Sequence, residues 1–524
     1  MAFKPLARGL GLGRNAWLLP LDLTFRTVGL RYGWLKGLFD HAPPGPLAMT
    51  GRLRAERAAW RAVQRVPAYR AYLYEQGVAV DRLVPAGILE KLPETDKRSY
   101  IDRYPIAERC LDGKIPFLGT TIDESSGSTG TPYNWIRSQA ERHVAHRNIS
   151  FFARYCFGAA PLVTINAFSM GAWATGFNMT LALNRNGIVK STGPDVAKIL
   201  STMRFLGPGY RYLILGYPPF VKHLLDEGDR DRIGWEQFAM HAMVGGEGMT
   251  EELRDHLLQR FQSVFSGYGA TDIEIGMAGE SPASVALRRL ARARPALRHA
   301  LFGNDPRLPM VFQYNPLIHN LEVNQEAEVI CTISRLDVLA PRIRYNVHDE
   351  GGILDYGRVA ATLGGFGANL AELGREKDAA GPRGPLPWVQ PVQLPFLWIY
   401  GRRDATISVM GANIYPEDIE TLIYRDPQLS AAAHSFGLSV VTDATATPRP
   451  CIALELSDGF HADPAWLDRV AAQFQAGLGA LNLDYKAAMT EFPAAMVPIV
   501  EAYERGQGPF RLDVGRIKQR RILT

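Results

Sequence analysis

Cysteine is scarce in this chain, with four residues in 524, and no two of them lie close together in sequence. The cysteines are Cys110, Cys156, Cys331 and Cys451. This spacing excludes a C-x-x-C metal or redox motif and argues against a disulfide framework. We therefore expect reduced thiols in a cytoplasmic protein.

A strong excess of one charge is also absent. The chain has 58 lysines and arginines against 53 aspartates and glutamates, which gives a formal net charge of +5 over the whole length. The one basic run, from Arg516 to Arg521, is short. The sequence therefore predicts no nucleic-acid partner.

Long apolar runs are missing too, because no segment reaches the roughly 20 residues that a membrane-spanning helix needs. The nearest approach is in residues 1–38, where Pro20 and Asp22 interrupt a basic and apolar stretch. No secretory cleavage site follows it. Two interpretations stay open: an N-terminal arm packed on its own domain, which we prefer, or a basic amphipathic segment in peripheral contact with a membrane.

The composition, 47% hydrophobic and 21% charged residues, is that of a globular protein, and 524 residues are too many for one ordinary core. Strand-like apolar runs alternate with helix-like runs, which predicts an α/β architecture. The Gly/Ala/Pro-rich stretch 357–395 is predicted to be a long connection. The predicted strands are 160–167 and 212–215, and the predicted helices are 53–66, 195–205 and 250–261.

A hydroxyl- and glycine-rich segment gives the strongest local signal. Its residues are Ser125, Ser126, Gly127, Ser128, Thr129, Gly130, Thr131 and Pro132. The glycines free the backbone to turn and the hydroxyls add donors, which is typical of a phosphate-binding loop, although flexible linkers have similar composition. No lysine follows the second glycine, so the segment is not a Walker P-loop.

Three further motifs follow in order: Tyr268-Gly269-Ala270-Thr271-Asp272, Arg344-Tyr345-Asn346-Val347-His348-Asp349 and Gly401-Arg402-Arg403-Asp404. With the hydroxyl-rich segment they resemble the adenylate-forming superfamily of acyl-CoA synthetases, luciferases and peptide-synthetase adenylation domains. Within it, segments 92–97, 216–219 and 245–247 resemble the phenylacetate–CoA ligase branch.

The resemblance covers roughly residues 55–524. It implies a large N-terminal multi-sheet α/β domain and a small mobile C-terminal α+β domain, which turns about a hinge at Asp404 between two half-reactions. We accordingly divide the chain into an N-terminal arm (1–50), the large domain (51–403) and the small domain (404–524).

The resemblance also implies roles for single residues. Ser125 to Thr131 would hold the phosphates of ATP, Asp349 would contact its ribose, and Arg402 would contact the ribose or a phosphate. The residues expected around the adenine are Gly246, Glu247, Tyr268 and Gly269.

Thr271 and Asp272 are expected beside the phosphates, and Asp272 would hold Mg²⁺. The superfamily usually has the longer glutamate there, so a bridging water is an alternative to direct coordination. His348 replaces the glycine that commonly precedes the ribose aspartate, which puts the backbone geometry there in question.

The small domain is expected to supply a lysine from a Gly-Lys-x-x-Arg pattern. Lys518 and Arg521 keep the spacing without the glycine, whereas Gly515 is followed by Arg516 instead of lysine. We favour Lys518 as the catalytic residue. Residues 168–177, rich in aromatic and apolar side chains, are expected to line a pocket for a lipophilic or aryl acid.

The implied enzyme is an AMP-forming carboxylate ligase that uses ATP and Mg²⁺. It would convert a carboxylic acid to acyl-AMP with release of pyrophosphate, and coenzyme A is the expected acceptor of the acyl group. Two alternatives stay open: transfer to an amine or carrier protein, and a catalytically weak, membrane-associated nucleotide-binding scaffold.

Overall fold

The computed structural model describes residues 31–125, 133–305, 307–373, 389–402, 406–410, 412–442, 448–511 and 521–523. Eighteen strands and fifteen α-helices are found within those ranges. The strands are β1 (Thr120–Glu124), β2 (Asn134–Ser138), β3 (Leu162–Asn166), β4 (Gly187–Ser191), β5 (Arg211–Gly216), β6 (Ala239–Gly245), β7 (Ser263–Ala270), β8 (Glu274–Gly279), β9 (Met310–Tyr314), β10 (His319–Val323), β11 (Glu328–Ile333), β12 (Tyr345–Leu354), β13 (Phe396–Arg402), β14 (Ile407–Val409), β15 (Ala412–Ile414), β16 (Ala433–Thr442), β17 (Pro448–Leu456) and β18 (Ile499–Tyr503). The helices are α1 (Tyr32–His41), α2 (Pro44–Arg65), α3 (Pro67–Glu75), α4 (Gln139–Phe157), α5 (Ala174–Leu183), α6 (Val196–Leu206), α7 (Pro218–Arg230), α8 (Glu251–Leu257), α9 (Pro282–Ala293), α10 (Pro295–Phe302), α11 (Tyr356–Gly365), α12 (Pro416–Arg425), α13 (Pro427–Ala432), α14 (Pro464–Leu481) and α15 (Leu483–Glu491).

One sheet of eleven strands organises the large domain, in the order β10-β11-β12-β13-β9-β8-β7-β6-β5-β3-β4. Neighbours from β4 to β7 run parallel. From β7 onward every neighbouring pair is antiparallel. The direction therefore changes at the β7–β8 pair, and the mixed α/β class predicted from the alternating pattern is confirmed.

The parallel strands are buried on both faces. In β5, Tyr212 and Ile214 belong to one hydrophobic cluster and Leu213 and Leu215 to another, and all four side chains are fully buried. Alternate residues of a strand point to opposite faces of the sheet, so an unbroken apolar run is what a strand covered by helices on both sides requires.

An ion-pair network ties β7 to the helices beneath it. Arg254 of α8 donates to Glu280 (Nη1 to Oε2, 2.9 Å) and to Glu251 (Nε to Oε1, 3.0 Å). Glu280 also accepts a hydrogen bond from the backbone N–H of Ser266 at 2.7 Å. These side chains are at most 1% exposed. The register of β7 is thus set by polar contacts as well as by apolar packing.

Helix α11 corrects one sequence prediction. The stretch 357–395 was expected to be a connection, but its first part is helical from Tyr356 to Gly365. Val359 and Leu363, one turn apart, are fully buried and pack with α10 residues such as Leu297. Three glycines and two alanines weaken the local periodicity, and tertiary packing supplies the stability that the segment lacks on its own.

The small domain is built around β16, β17 and β18 with helices α12 to α15, and its core includes Ile423, Leu454 and Phe474. It contacts the large domain through α7 and α8. The ammonium of Lys222 donates to the carbonyl of Ala433 at 3.3 Å. The predicted hinge, Asp404, lies outside the described residues, so the domain boundary and the mobility of the small domain stay predictions.

The described part of the N-terminal arm packs on the large domain. Phe39 is fully buried and contacts Phe151 edge to face, with ring centroids 5.3 Å apart. Trp34, by contrast, is 64% exposed. Within the ranges given above, no helix has both the length and the apolar character needed to cross a membrane. Residues 1–30 lie outside those ranges, and the membrane contact of the arm stays a prediction.

Replacing Arg254 with methionine should destabilise the fold, because it removes the cation that pairs with the buried carboxylate of Glu280. We expect the free energy of unfolding in urea to fall by about 3–5 kcal/mol. The matched control is Arg260→Met, which removes an exposed pair with Asp229 and should cost less than about 1 kcal/mol. Equal losses in the two variants would contradict this assignment.

The same network predicts an acid dependence of stability. Burial acts to raise the pKa of Glu251, but Arg254, Arg288 and Arg289 outweigh it and lower the pKa to about 2. The unfolded value is about 4.3, so the carboxylate contributes stability that is complete above that pH and is lost as the pH falls towards 2. As the pH falls from about 4.3 to about 2, the free energy of unfolding should decrease more steeply in the wild type than in Arg254→Met.

Candidate active site

A cavity of 730 Å³ opens where the parallel strands β5, β6 and β7 end, next to the small domain. Ligand sites of α/β sheets lie beyond the carboxyl ends of the strands. Here the wall includes residues of the large domain and also Phe436 and Ile522 of the small domain. The cavity is therefore completed by both domains.

Gly246 and Glu247 follow β6 and line this cavity. Gly246 has φ 84°, a backbone conformation that favours glycine. Gly269, the next-to-last residue of β7, is needed for a different reason, since an added Cβ would come within 2.7 Å of the backbone N of Gly276. These glycines allow the chain to form part of the wall with bare backbone.

Two motifs far apart in sequence are cross-linked by a reciprocal pair of hydrogen bonds. Tyr268 donates its hydroxyl to Oδ2 of Asp349, and Tyr345 donates to Oδ2 of Asp272 at 3.0 Å. Burial, reinforced by these carboxylates, raises the pKa of both tyrosines well above its ordinary value, so both remain neutral donors. Each motif thus supplies one tyrosine and one aspartate.

Tyr268 also stacks on Phe312, with ring centroids 5.5 Å apart and an interplanar angle of 30°. Both rings line the cavity. The sequence marked Tyr268 as a platform for adenine, and its position in the wall fits that role, which stays a prediction.

The turn that carries Thr271 and Asp272 is held from below by two buried arginines. Arg137 donates to the carbonyl of Thr271 and Arg342 to the carbonyl of Asp272, both at 2.6 Å. The two arginines are 4% and 3% exposed. Because the bonds go to the backbone, they orient the Asp272 carboxylate without neutralising it directly.

Asp272 is 6% exposed and lines the cavity. Its Oδ2 also lies 3.1 Å from the ammonium of Lys97, a partner that the sequence did not indicate. In the part of the chain that the structure describes, no group of three or more His, Cys, Asp or Glu residues is arranged to hold a metal. A single carboxylate nevertheless suits Mg²⁺, which usually takes its remaining ligands from water and phosphate oxygens.

Asp349 lies in β12 and pairs through its backbone with Arg402 of β13. The side chain of Arg402 lies outside the described residues. His348, just before Asp349, has φ 63°, a left-handed conformation that L-residues other than glycine adopt at a cost. The question raised by this replacement is therefore answered: histidine occupies the backbone geometry that glycine favours. Its ring lies 3.3 Å from both Glu328 and Asp96.

The predicted phosphate-binding segment is described only at its first residue. The N–H of Ser125 donates to the carbonyl of Tyr133, and the N–H of Tyr133 donates to Oγ of Ser125, both at 2.9 Å. The segment is thus closed at its base beside the cavity, which Ser125 and Tyr133 line. The predicted residues Ser126, Gly127, Ser128, Thr129, Gly130 and Thr131, with Lys518, lie outside the described residues.

The rest of the wall is apolar and aromatic. Phe168, Trp173, Ala174 and Thr175, from the segment expected to form the acyl pocket, line the cavity, whereas Phe177 is 46% exposed and does not line it. Other elements contribute residues that the sequence did not single out. They are Ile149, Phe152, Met179, Met243 and Ile275, and Tyr217 of the segment 216–219 lines the cavity with them.

Comparison with known proteins agrees with this geometry. The chain is 22% identical over 382 residues to a phenylacetate-coenzyme A ligase of Pseudomonas putida, a match that covers 72% of this chain and 75% of that protein. A phenylacetate-coenzyme A ligase of Aromatoleum evansii is 23% identical over 389 residues, with 72% and 76% covered. No family model matches the chain.

Among solved structures, 2-hydroxyisobutyryl-CoA ligase in its postadenylation state has a TM-score of 0.65 at 14% identity, covering 93% of this chain and 91% of that one. The same ligase in its thioesterification state has a TM-score of 0.50 at 15% identity, with equal coverage. At such low identity these similarities show the fold.

The backbone at His348 gives a direct test of the site geometry. We expect His348→Gly to keep the free energy of unfolding within about 1 kcal/mol of the wild type, because relief of the left-handed conformation offsets two half-exposed ion pairs. His348→Val should lose about 2 kcal/mol or more, since a β-branched residue is strained at this φ. Urea unfolding checks both. A valine variant as stable as the glycine variant would contradict the assigned backbone.

Proposed function

We propose that this chain, a member of the adenylate-forming superfamily, uses ATP to convert a carboxylic acid to its acyl-adenylate and then transfers the acyl group to coenzyme A. It is accordingly an AMP-forming acid–thiol ligase. One observation carries the proposal: a single cavity unites the turn after β6, the two aspartates that the tyrosines hold, and an apolar compartment.

In this proposal the polar residues of the cavity bind the nucleotide. Asp349, within β12, accepts from the ribose hydroxyls, and its bond from Tyr268 fixes the direction of the carboxylate. Gly246, Glu247 and Tyr268 border the adenine. Asp272 would hold Mg²⁺ together with phosphate oxygens, and a cation bound there would supply electrostatic stabilisation for the leaving pyrophosphate.

The apolar compartment binds the acyl group. Phe152, Phe168, Met179 and Ile275 offer apolar surface and lack charge. A carboxylic acid with an aryl or other lipophilic body gains from burial there, whereas a dicarboxylic or strongly polar acid would bury an unpaired charge or polar group. We therefore assign the substrate to the lipophilic acids.

The first half-reaction forms a bond between a carboxylate oxygen and the α-phosphorus of ATP and breaks the bond from that phosphorus to the bridging oxygen, so pyrophosphate leaves. In the second, the thiol sulfur of coenzyme A attacks the acyl carbon, AMP leaves with the electron pair, and the thiol proton passes to solvent. The enzyme holds the reactants in line and stabilises charge on the phosphorus oxygens.

The small domain contributes one described cation, Arg521, to this site. Arg521 lines the cavity and lies 3.7 Å from Glu420, and its carbonyl accepts from the N–H of Leu438 in β16. Lys518 precedes Arg521 by three positions. We propose that Lys518 meets the carboxylate and the α-phosphate during adenylation.

Cleavage between the α- and β-phosphates is the first expected outcome. Acid-dependent exchange of pyrophosphate into ATP, measured over a panel of aryl, alkyl and dicarboxylic acids, should be fastest with lipophilic acids and should yield AMP in the complete reaction. Production of ADP and orthophosphate without AMP would contradict the proposed chemistry. Exchange without thioester formation would identify an amine or a carrier protein as the acceptor.

The two registers of the C-terminal motif are separated by two alanine variants. Lys518→Ala should slow exchange by about a hundredfold or more, the usual effect of removing one preorganised electrostatic donor. Thioester formation from supplied acyl-AMP should survive. Arg516→Ala is the matched control and should be mild in both assays. The reverse pattern would assign the role to Arg516.

A further inference from the structure

The phosphate-binding segment has an unusual composition for a site that receives a triphosphate. From Ser125 to Trp135 the sequence contains no lysine or arginine, and Tyr133 follows Pro132. The next cation, Arg137, faces inward: it lies 3.7 Å from Asp123 and 3.5 Å from Glu141 and is only 4% exposed. A positive charge for the phosphates must therefore come from another part of the chain.

Lys97 is placed to supply it. Of the described residues that line the cavity, two carry a positive charge, Lys97 from the large domain and Arg521 from the small domain. The ammonium of Lys97 lies 3.1 Å from Oδ2 of Asp272 and 5.2 Å from the centre of the Tyr133 ring. It thus stands between the base of the phosphate-binding segment and the carboxylate assigned to Mg²⁺.

The backbone that carries Lys97 is held to the nucleotide side of the site. Asp96 caps the turn Lys97–Ile101, since its Oδ1 accepts from the N–H of Ser99 at 2.6 Å. Just before it, Thr95 donates to the carbonyl of Arg344 at 3.0 Å and accepts from the N–H of Asn346 at 2.8 Å. These bonds fix the start of the lysine side chain relative to the motif that ends at Asp349.

The Lys97 side chain is 34% exposed, whereas that of Asp272 is 9% exposed. A four-carbon stem with a partly exposed ammonium can change partners by rotation, while Asp272 is held by Tyr345 and by the backbone bonds beneath it. The ion pair is therefore able to open on the lysine side.

We propose that Lys97 is a catalytic residue that exchanges partners when ATP enters: its ammonium leaves Asp272 for an oxygen of the α-phosphate, and Asp272 becomes available to the Mg²⁺ that accompanies ATP. The inference rests on the proposed function. In adenylation the ammonium stabilises charge on the pentavalent phosphorus, and in acyl transfer it stabilises the phosphate of the departing AMP.

This role differs from that of Lys518 in its timing. Lys97 belongs to the large domain, beside the nucleotide, and stays there whatever the orientation of the small domain. Loss of Lys97 should therefore slow both half-reactions, whereas loss of Lys518 should slow adenylation alone.

The kinetic test compares Lys97→Ala with Arg98→Ala, its neighbour in the same turn, which is exposed and does not line the cavity. Lys97→Ala should slow pyrophosphate exchange and thioester formation from supplied acyl-AMP by about a hundredfold each. Arg98→Ala should stay within about twofold of the wild type, and Lys97→Arg should recover part of the loss because it restores the charge.

A binding measurement separates this role from that of a structural ion pair. Calorimetric titration with ATP in the presence of EDTA should show binding weakened about tenfold in Lys97→Ala. Asp272→Asn should bind metal-free ATP more tightly than the wild type, because the lysine is released and a negative charge is removed. A purely structural ion pair predicts that the two variants weaken binding alike.

The outcomes also distinguish the two proposals. If the wild type exchanges pyrophosphate and Lys97→Ala matches Arg98→Ala in both half-reactions, the role of Lys97 is overturned and the proposed function stands. If no acid supports exchange in the wild type, the proposed function fails. In that case, equal affinity of wild type and Lys97→Ala for metal-free ATP overturns the role of Lys97 as well.

Discussion

Everything in the candidate site depends on the position of β7, and a buried arginine holds that strand. Arg254 joins Glu251 and Glu280 in the interior, and Glu280 accepts from the backbone of Ser266. A shift of one residue in β7 would send every side chain of the strand to the opposite face of the sheet. Tyr268 would then leave the cavity, and the turn that follows would lose its alignment with Arg137 and Arg342.

Arg254 and its carboxylates hold β7 at the position where strand pairing changes from parallel to antiparallel. From β4 to β7 the neighbours are parallel, and beyond β7 they are antiparallel. The next strand in the sheet therefore runs opposite to β6 and β7, and the turn after β7 contacts β12. The reciprocal bonds from Tyr268 to Asp349 and from Tyr345 to Asp272 span this meeting point. A carboxylate fixed in this way is oriented before any ligand arrives, which lowers the reorganisation that binding would require.

Positive charge reaches the cavity from two directions. Lys97 is anchored to the large domain through Thr95, whereas Arg521 is anchored to the small domain through Leu438. The contact between the domains is polar as well: the N–H of Thr250 donates to Glu420 at 3.2 Å, and Arg230 pairs with Asp458 at 2.7 Å. Polar interfaces of this kind separate at lower cost than apolar ones, which is consistent with a small domain that changes orientation.

Local sequence sufficed for the class of the fold. The apolar runs that became β3 and β5 are buried on both faces, and such runs are visible without any partner. The ordered motifs indicated the carboxylates Asp272 and Asp349, and the structure brings them to one cavity. Local sequence failed for α11, because Val359 and Leu363 gain their stability from α10 and not from their own glycine- and alanine-rich segment. It also gave no sign that Lys97 faces Asp272 or that each aspartate is held by the tyrosine of the other motif. Those partners are far apart in the chain, and hydrogen bonds between distant segments leave no periodic trace in the sequence; only the packing of Thr95 and β7 against β12 decided them.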